Sequence, residues 1–172
     1  MNRRALWFVL AVAAQLLILA AVPAQKIYTR TTGKTVLLKT APVDPYSIMS
    51  GYYVTLNYEI SNPRSGNNWE QRLVGKQVWV TLKPDSNGIW NAVSVNDKKP
   101  AVSNDEVVIK GTKQYSRIEY GIESYFIPED ARDKIAQDLR KNPRDAKVEV
   151  KVDADGNAAI TKLIIQDRIY SY

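Results

Sequence analysis

The sequence predicts a mainly β, α+β protein. An N-terminal transmembrane helix leads into one β-rich domain of mostly antiparallel strands, with a single amphipathic helix near 128–141. Three observations carry this. Ala5–Val22 is an eighteen-residue run without a charge, set directly behind Arg3 and Arg4. Gly51–Ile60 alternates apolar and polar residues with the period of a half-buried strand, placing Tyr52, Val54, Leu56, Tyr58 and Ile60 on one face. Two further pairs of alternating runs are joined by turns ending in Asn-Gly or Asp-Gly, residue types that tolerate left-handed backbone.

The anchor comes first. As a helix, Ala5–Val22 spans about 27 Å, close to the hydrocarbon thickness of a bilayer. Basic residues before it and a long domain after it predict a cytoplasmic N-terminus and an exported remainder. Val22-Pro23-Ala24 before Gln25 also offers a cleavage site, so secretion to the periplasm after processing near Ala24 is the alternative. The run is nonetheless longer than the roughly 7–15 residues of a secretory signal core. The chain therefore divides into an anchor at 1–24, a polar juxtamembrane spacer at 25–33 and a domain at 34–172. Lys26, Arg30, Lys34 and Lys39 lie just past the anchor, where basic residues meet anionic headgroups.

Within the domain, Lys34–Thr40 reads as a first strand, stopped by Pro42 and Pro45. The long strand Tyr52–Ile60 follows, then a turn-rich loop at 61–68. Lys76–Leu82 and Ile89–Val95 form a hairpin around Pro84–Gly88. On the first of these strands Val78, Val80 and Leu82 face one way, with Gln77, Trp79 and Thr81 opposite. Glu106–Thr112 and Tyr115–Ile127 supply two more strands, the second bent at Gly121. Pro128 at a first helical position, early acids, late bases and the stripe Ala131, Ile135 and Leu139 define the helix, which Pro143 ends. Lys147–Val152 and Ala158–Ile165 make the closing hairpin around Asp153–Gly156, and Arg168–Tyr172 adds an edge. The expected total is about eight strands and one helix after the anchor.

Composition removes several chemistries. With no histidine and no cysteine, the chain alone cannot build a Ser-His-Asp triad, a thiol nucleophile or a zinc site of His and Cys ligands. The net charge of +6 falls to +4 once Arg3 and Arg4 are set aside, 22 basic residues against 18 acidic. Those charges are interspersed, as in Lys147-Val-Glu-Val-Lys151, whereas a nucleic-acid interface is a clustered patch or stripe.

Gly51-Tyr-Tyr-Val-Thr-Leu-Asn-Tyr58 resembles Gly-Asp-Tyr-x-x-Leu-x-Tyr, the signature of the bacterial GDYXXLXY-domain family. Leu37–Pro45, Arg117–Glu129 and the closing Val152-Asp-Ala-Asp-Gly156 are similar to other family segments. The resemblance implies a membrane-associated protein with one N-terminal transmembrane segment and no assigned activity. Its members often accompany multi-pass membrane proteins. Gly51, Tyr53, Leu56 and Tyr58 match the signature and are read as structural. Position 52 departs from it: Tyr stands where the signature has Asp, and a phenol does not replace a carboxylate near neutral pH. No role passes to Tyr52.

The remaining chemistry is sparse, and no catalytic residue, cofactor or metal ligand is assigned. A Ser-Lys pair is the one nucleophile and base that this composition allows without a cofactor, with Ser47 or Ser50 facing Lys110 or Lys113. Arg117, Glu119 and Glu123 share strand parity and form a candidate interaction cluster, although alternating Arg and Glu on a strand is also ordinary ion pairing. Asp153, Asp155 and Asn157 look like the start of a calcium loop but lack its closing glutamate. Trp69, Trp79 and Trp90 are candidates for a contact patch. The expectation is an accessory protein of the bacterial inner membrane, held in the bilayer by its N-terminal helix. Its domain lies on the periplasmic side beside a possible multi-pass partner, with no nucleic-acid role. A signal-peptidase-like hydrolase and an envelope lipid or small-molecule binder are the alternatives. A binder needs an apolar hollow of roughly 300 Å3 or more.

Overall fold

A computed structural model describes residues 3–41, 49–50, 53–63, 73–142 and 145–172. Helix α1 spans Arg3–Thr32 and includes Pro23. Its segment Leu6–Thr32 is long and apolar enough to cross a membrane, and its most apolar window is nowhere buried against the domain. Leu16, Leu17, Ile18 and Leu19 are all more than half exposed. The helix is apolar on every side of that window, and nothing among the described residues packs on it.

The segment expected as a polar spacer, 25–33, is helical through Thr32. Thr32 returns its hydroxyl to the carbonyl of Tyr28, four residues back, at 2.8 Å, and Thr31 does so to that of Ile27 at 3.0 Å. Packing against the domain stabilises these last turns, because Thr29 is fully buried. Gly33 then turns the chain sharply into the first strand. A Cβ there would stand 2.6 Å from the Thr29 carbonyl oxygen and 2.9 Å from the Val152 nitrogen, so the close approach requires glycine.

The described residues hold twelve strands rather than about eight: β1 (Lys34–Ala41), β2 (Met49–Ser50), β3 (Tyr53–Thr55), β4 (Asn57–Tyr58), β5 (Gln77–Pro84), β6 (Trp90–Asn96), β7 (Val107–Lys113), β8 (Ile118–Glu119), β9 (Ser124–Phe126), β10 (Ala146–Val152), β11 (Ala158–Ile165) and β12 (Arg168–Tyr170). They form a five-stranded sheet ordered β12-β11-β10-β1-β4, a four-stranded sheet ordered β6-β5-β7-β8 and a three-stranded sheet ordered β2-β3-β9. Every strand pairing is antiparallel. The inner faces of all three sheets feed one apolar core. Both predicted hairpins are present as β5–β6 and β10–β11.

The higher strand count comes from subdivision. The single strand predicted over 52–60 splits at Leu56 into β3 and β4, which lie in different sheets, and Glu59–Ser61 closes as a 3-10 turn. Its alternation still holds: Val54, Leu56, Tyr58 and Ile60 are buried, and Glu59 is exposed. The strand predicted over 115–127 likewise becomes β8 and β9, divided around Gly121 at φ 74°. Period-two patterning sets which side of a strand is apolar, but not which neighbour each half pairs with.

Bulges account for two faces that simple alternation misassigns. Between β10 and β11 the register shifts so that Thr161 is the extra residue. The shift turns Ala158 and Ile160 before it, and Leu163 and Ile165 after it, all toward the core. Between β5 and β6 the extra residue is Val93, left 55 % exposed while Trp90 and Val95 are buried. Thr81, placed on the outer face by alternation, is buried at this irregularity.

Helix α2 spans Arg132–Lys141, preceded by a 3-10 turn at Glu129–Ala131. Pro128 precedes that turn in extended backbone, rather than opening the helix, with ψ 153°. Ile135 and Leu139 are buried as expected. Asp138, also buried, accepts the Tyr170 hydroxyl at 2.6 Å and is gripped by the Arg168 guanidinium at 2.8 and 3.0 Å. The hydrogen bonds from Tyr170 and then Arg168 hold its carboxyl below the usual carboxylate range. This ties α2 to the edge strand β12.

Candidate functional site

The signature segment is stitched to the stretch around Gly121 by three hydrogen bonds. The Leu56 N–H donates to the Glu123 carbonyl at 2.8 Å, in the gap between β3 and β4. The buried Tyr58 hydroxyl donates to the Ile122 carbonyl at 2.6 Å, and the buried Tyr120 hydroxyl returns to the Ile60 carbonyl at 2.6 Å. Each phenol thus satisfies a carbonyl of the opposite segment. Burial pushes both phenols well above their ordinary pKa, with the Glu123 charge adding to the effect, so they remain neutral donors. Tyr53, half-buried, lies on the other face with its ring centroid 5.8 Å from that of Phe126. Gly51 and Tyr52 lie outside the described residues.

Beside this seam is an open groove of about 710 Å3. Its walls are the last turns of α1, strand β9, the start of β11 and the C-terminal Tyr172. Lys26 and Arg30 project from α1 at i and i+4, the spacing that shares a helix face. Ile122, Tyr125, Phe126 and Ile160 make the lining largely apolar, and Phe126 is 70 % exposed. The Lys26 ammonium donates to the Ala158 carbonyl at 2.9 Å.

Directly alongside, α1 is locked to the domain. The Thr29 hydroxyl donates to Asp153 Oδ2 at 2.6 Å, and both groups are buried. Asp153 Oδ1 accepts the backbone N–H groups of Asp155 and Asn157, both at 2.9 Å. At Asp153 burial is the largest influence and pushes the carboxyl up. The donors from Thr29, Asn157 and Asp155 together overcome it and leave the carboxyl below its ordinary value. Both carboxylate oxygens of Asp153, the first of the residues that resemble a calcium loop, are therefore occupied by the protein's own donors.

The basic group past the anchor divides. Lys26 and Arg30 wall the groove. The Lys34 ammonium donates to the Asn104 carbonyl at 2.7 Å and lies 5.2 Å from the centroid of the Trp90 ring, while Lys39 pairs with Glu59 at 2.8 Å. The candidate cluster divides too. Arg117 pairs with Glu119 through contacts of 2.6 and 3.0 Å, whereas Glu123 Oε1 accepts the Tyr120 N–H at 2.6 Å within its own bend. Ser47 and the Ser50 side chain lie outside the described residues. Lys113 is buried at the end of β7, and Lys110 donates its backbone N–H to the Gly156 carbonyl. Trp90 is buried and Trp79 packs beside Gly156, so neither joins an exposed patch; Trp69 is outside the described residues. No group of three or more acidic ligands suited to a metal occurs among the described residues.

Comparison with known families matches the GDYXXLXY protein family over residues 15–163, most of the chain. The chain belongs to the GDYXXLXY family. No curated protein matches it, and no solved structure does. In this family member, Leu56 and Tyr58 of the signature are core residues. The groove is not legible in the sequence, because its walls come from segments far apart in the chain. Its one legible signal was the Lys26 and Arg30 spacing at the end of the apolar run.

Proposed function

We propose that the protein is a single-pass, membrane-anchored accessory module. On this reading α1 crosses the bacterial inner membrane with its N-terminus cytoplasmic. It holds the β-rich domain on the periplasmic side, beside another membrane component. The observation that carries the reading is the continuity of α1 from its lipid-compatible span into the Thr29–Asp153 lock. A module on a flexible tether samples many orientations, whereas a helix docked into its own domain presents that domain in one pose. Fixed presentation favours contact with a neighbour in the same membrane, since ordering the domain adds no further entropic cost on binding.

Crosslinking in native membranes, followed by identification of attached proteins, tests the proposal. One recurrent membrane protein is the expected product, and repeated recovery of the monomer alone overturns it. The intact mass tests the anchor. A chain retaining Ala5–Val22 is expected, and one beginning at Gln25 overturns the anchored form.

A further inference from the structure

We infer that the groove between α1, β9 and β11 is a binding site for an anionic phospholipid from the leaflet at the C-terminal end of α1. The inference rests on the reading that α1 crosses a bilayer, and it assigns that junction a ligand.

Depth is the first argument. With Arg4 at one face of the hydrocarbon, Lys26 lies 22 residues on, about 33 Å along the helix, and Arg30 about 39 Å. The hydrocarbon is about 30 Å thick and the bilayer with its headgroups about 40–45 Å. Lys26 therefore falls in the far headgroup layer, and Arg30 just outside it, within reach of its long side chain. The groove opens at the level where lipid phosphates lie.

Charge is the second. Arg30 is exposed and has no ion-pair partner among the described residues. The Lys26 ammonium gives one hydrogen to Ala158 and keeps two. Glu123 is the acid near Lys26, but Oε1 of its carboxylate already accepts the Tyr120 N–H. Glu129 also lines the groove, yet neither acid forms an ion pair within 4 Å of Lys26 or Arg30 among the described residues. An ammonium and a guanidinium one helical turn apart suit one phosphate, the guanidinium through paired N–H donors.

The lining is the third. Tyr125, Phe126, Ile160 and Tyr172 offer an apolar, aromatic wall to the glycerol and the first methylenes of an acyl chain. Exposed aromatics beside basic residues are the composition found at membrane–water interfaces. The competing occupant is a partner strand on the free edge of β9. That strand has three residues and presents few ladder bonds.

The test uses the full chain in neutral detergent, given equimolar phosphatidylglycerol and phosphatidylcholine and read by native mass spectrometry. One phosphatidylglycerol per chain is expected. Arg30→Gln should lower its retention about fivefold, and the Lys26→Gln/Arg30→Gln double variant about 25-fold. Ser124→Trp, at an exposed lining position, should abolish retention with both cations in place. Thermal melting checks folding, and the exposed Arg30 variant remains informative if the double variant does not fold. Equal retention of the two lipids, unchanged retention in the variants, or a polypeptide in the groove overturns the inference. Carbonate extraction separates the two readings. A chain washed from membranes overturns the bilayer span, and the site with it. A chain that stays in the membrane but shows no lipid preference overturns the site alone.

Discussion

The β5–β6 and β10–β11 hairpins carry the same turn and use it differently. In the first, Asp85 Oδ1 accepts the N–H groups of Asn87 and Ile89 at 2.8 and 3.0 Å. In the second, Asp153 Oδ1 accepts those of Asp155 and Asn157, again two and four residues on. Gly88 and Gly156 have φ of 75° and 76° and donate to the aspartate carbonyl, each at 3.0 Å. Local chemistry is therefore nearly identical. The surroundings are not: a Cβ on Gly88 meets nothing within 4 Å, whereas one on Gly156 would stand 2.8 Å from the Trp79 ring and 3.2 Å from the Lys110 nitrogen. Asp85 is exposed, but the second oxygen of Asp153 receives the Thr29 hydroxyl from α1. One turn merely reverses the chain, and its counterpart is the socket for α1.

Glycine replacement should give the largest contrast. Gly88→Ala carries only the left-handed backbone penalty of roughly 1 kcal/mol, while Gly156→Ala adds a clash for a total of about 3 kcal/mol. Urea unfolding of the full chain in detergent measures both, and equal losses would mean that the Gly156 surroundings give way freely. Asp153→Ala should follow at about 2 kcal/mol, since it strands a buried hydroxyl and two backbone donors. Asp85→Ala should cost markedly less, because water replaces the lost acceptor.

Thr29→Val removes one buried hydrogen bond at nearly constant shape, for about 1 kcal/mol. Its sharper signature is faster hydrogen exchange at residues 26–32 with β5–β6 unchanged. Uniform acceleration across the domain would contradict a local socket.

Acid gives the mildest test. Asp85 is held low by the Ile89 and Asn87 N–H groups, and Asp153 by donors that overcome its burial. A depressed folded pKa stabilises above the unfolded value of about 3.9 and loses that contribution as pH falls through the folded value. Below about pH 4, exchange at residues 26–32 should therefore rise in the wild type. Asp85→Asn should leave that rise in place, and Asp153→Asn should remove it.

Much of the fold is legible along the chain because its cues are local. The uncharged run behind Arg3 and Arg4 marks α1, Val148, Val150 and Val152 mark the inner face of β10, and the Asp-Gly of the last turn marks its hairpin. Thr161 and Val93 are invisible as bulges, since the extra residue exists only relative to a partner strand. The helical course of 25–32 is obscured by its threonines. Their poor helix propensity is offset by hydroxyl bonds to the preceding turn and by docking on a hairpin more than a hundred residues away.

The signature shows the same division. Alternation by itself determined that Leu56, Tyr58 and Ile60 face the core, because side-chain direction follows from backbone geometry alone. Tertiary structure decided that β3 and β4 belong to different sheets and that Tyr58 and Tyr120 exchange hydroxyls with each other's segments. It also decided that one of two like turns receives α1. Buried donors must find acceptors wherever packing brings them, and that pairing depends on contacts far apart in the chain.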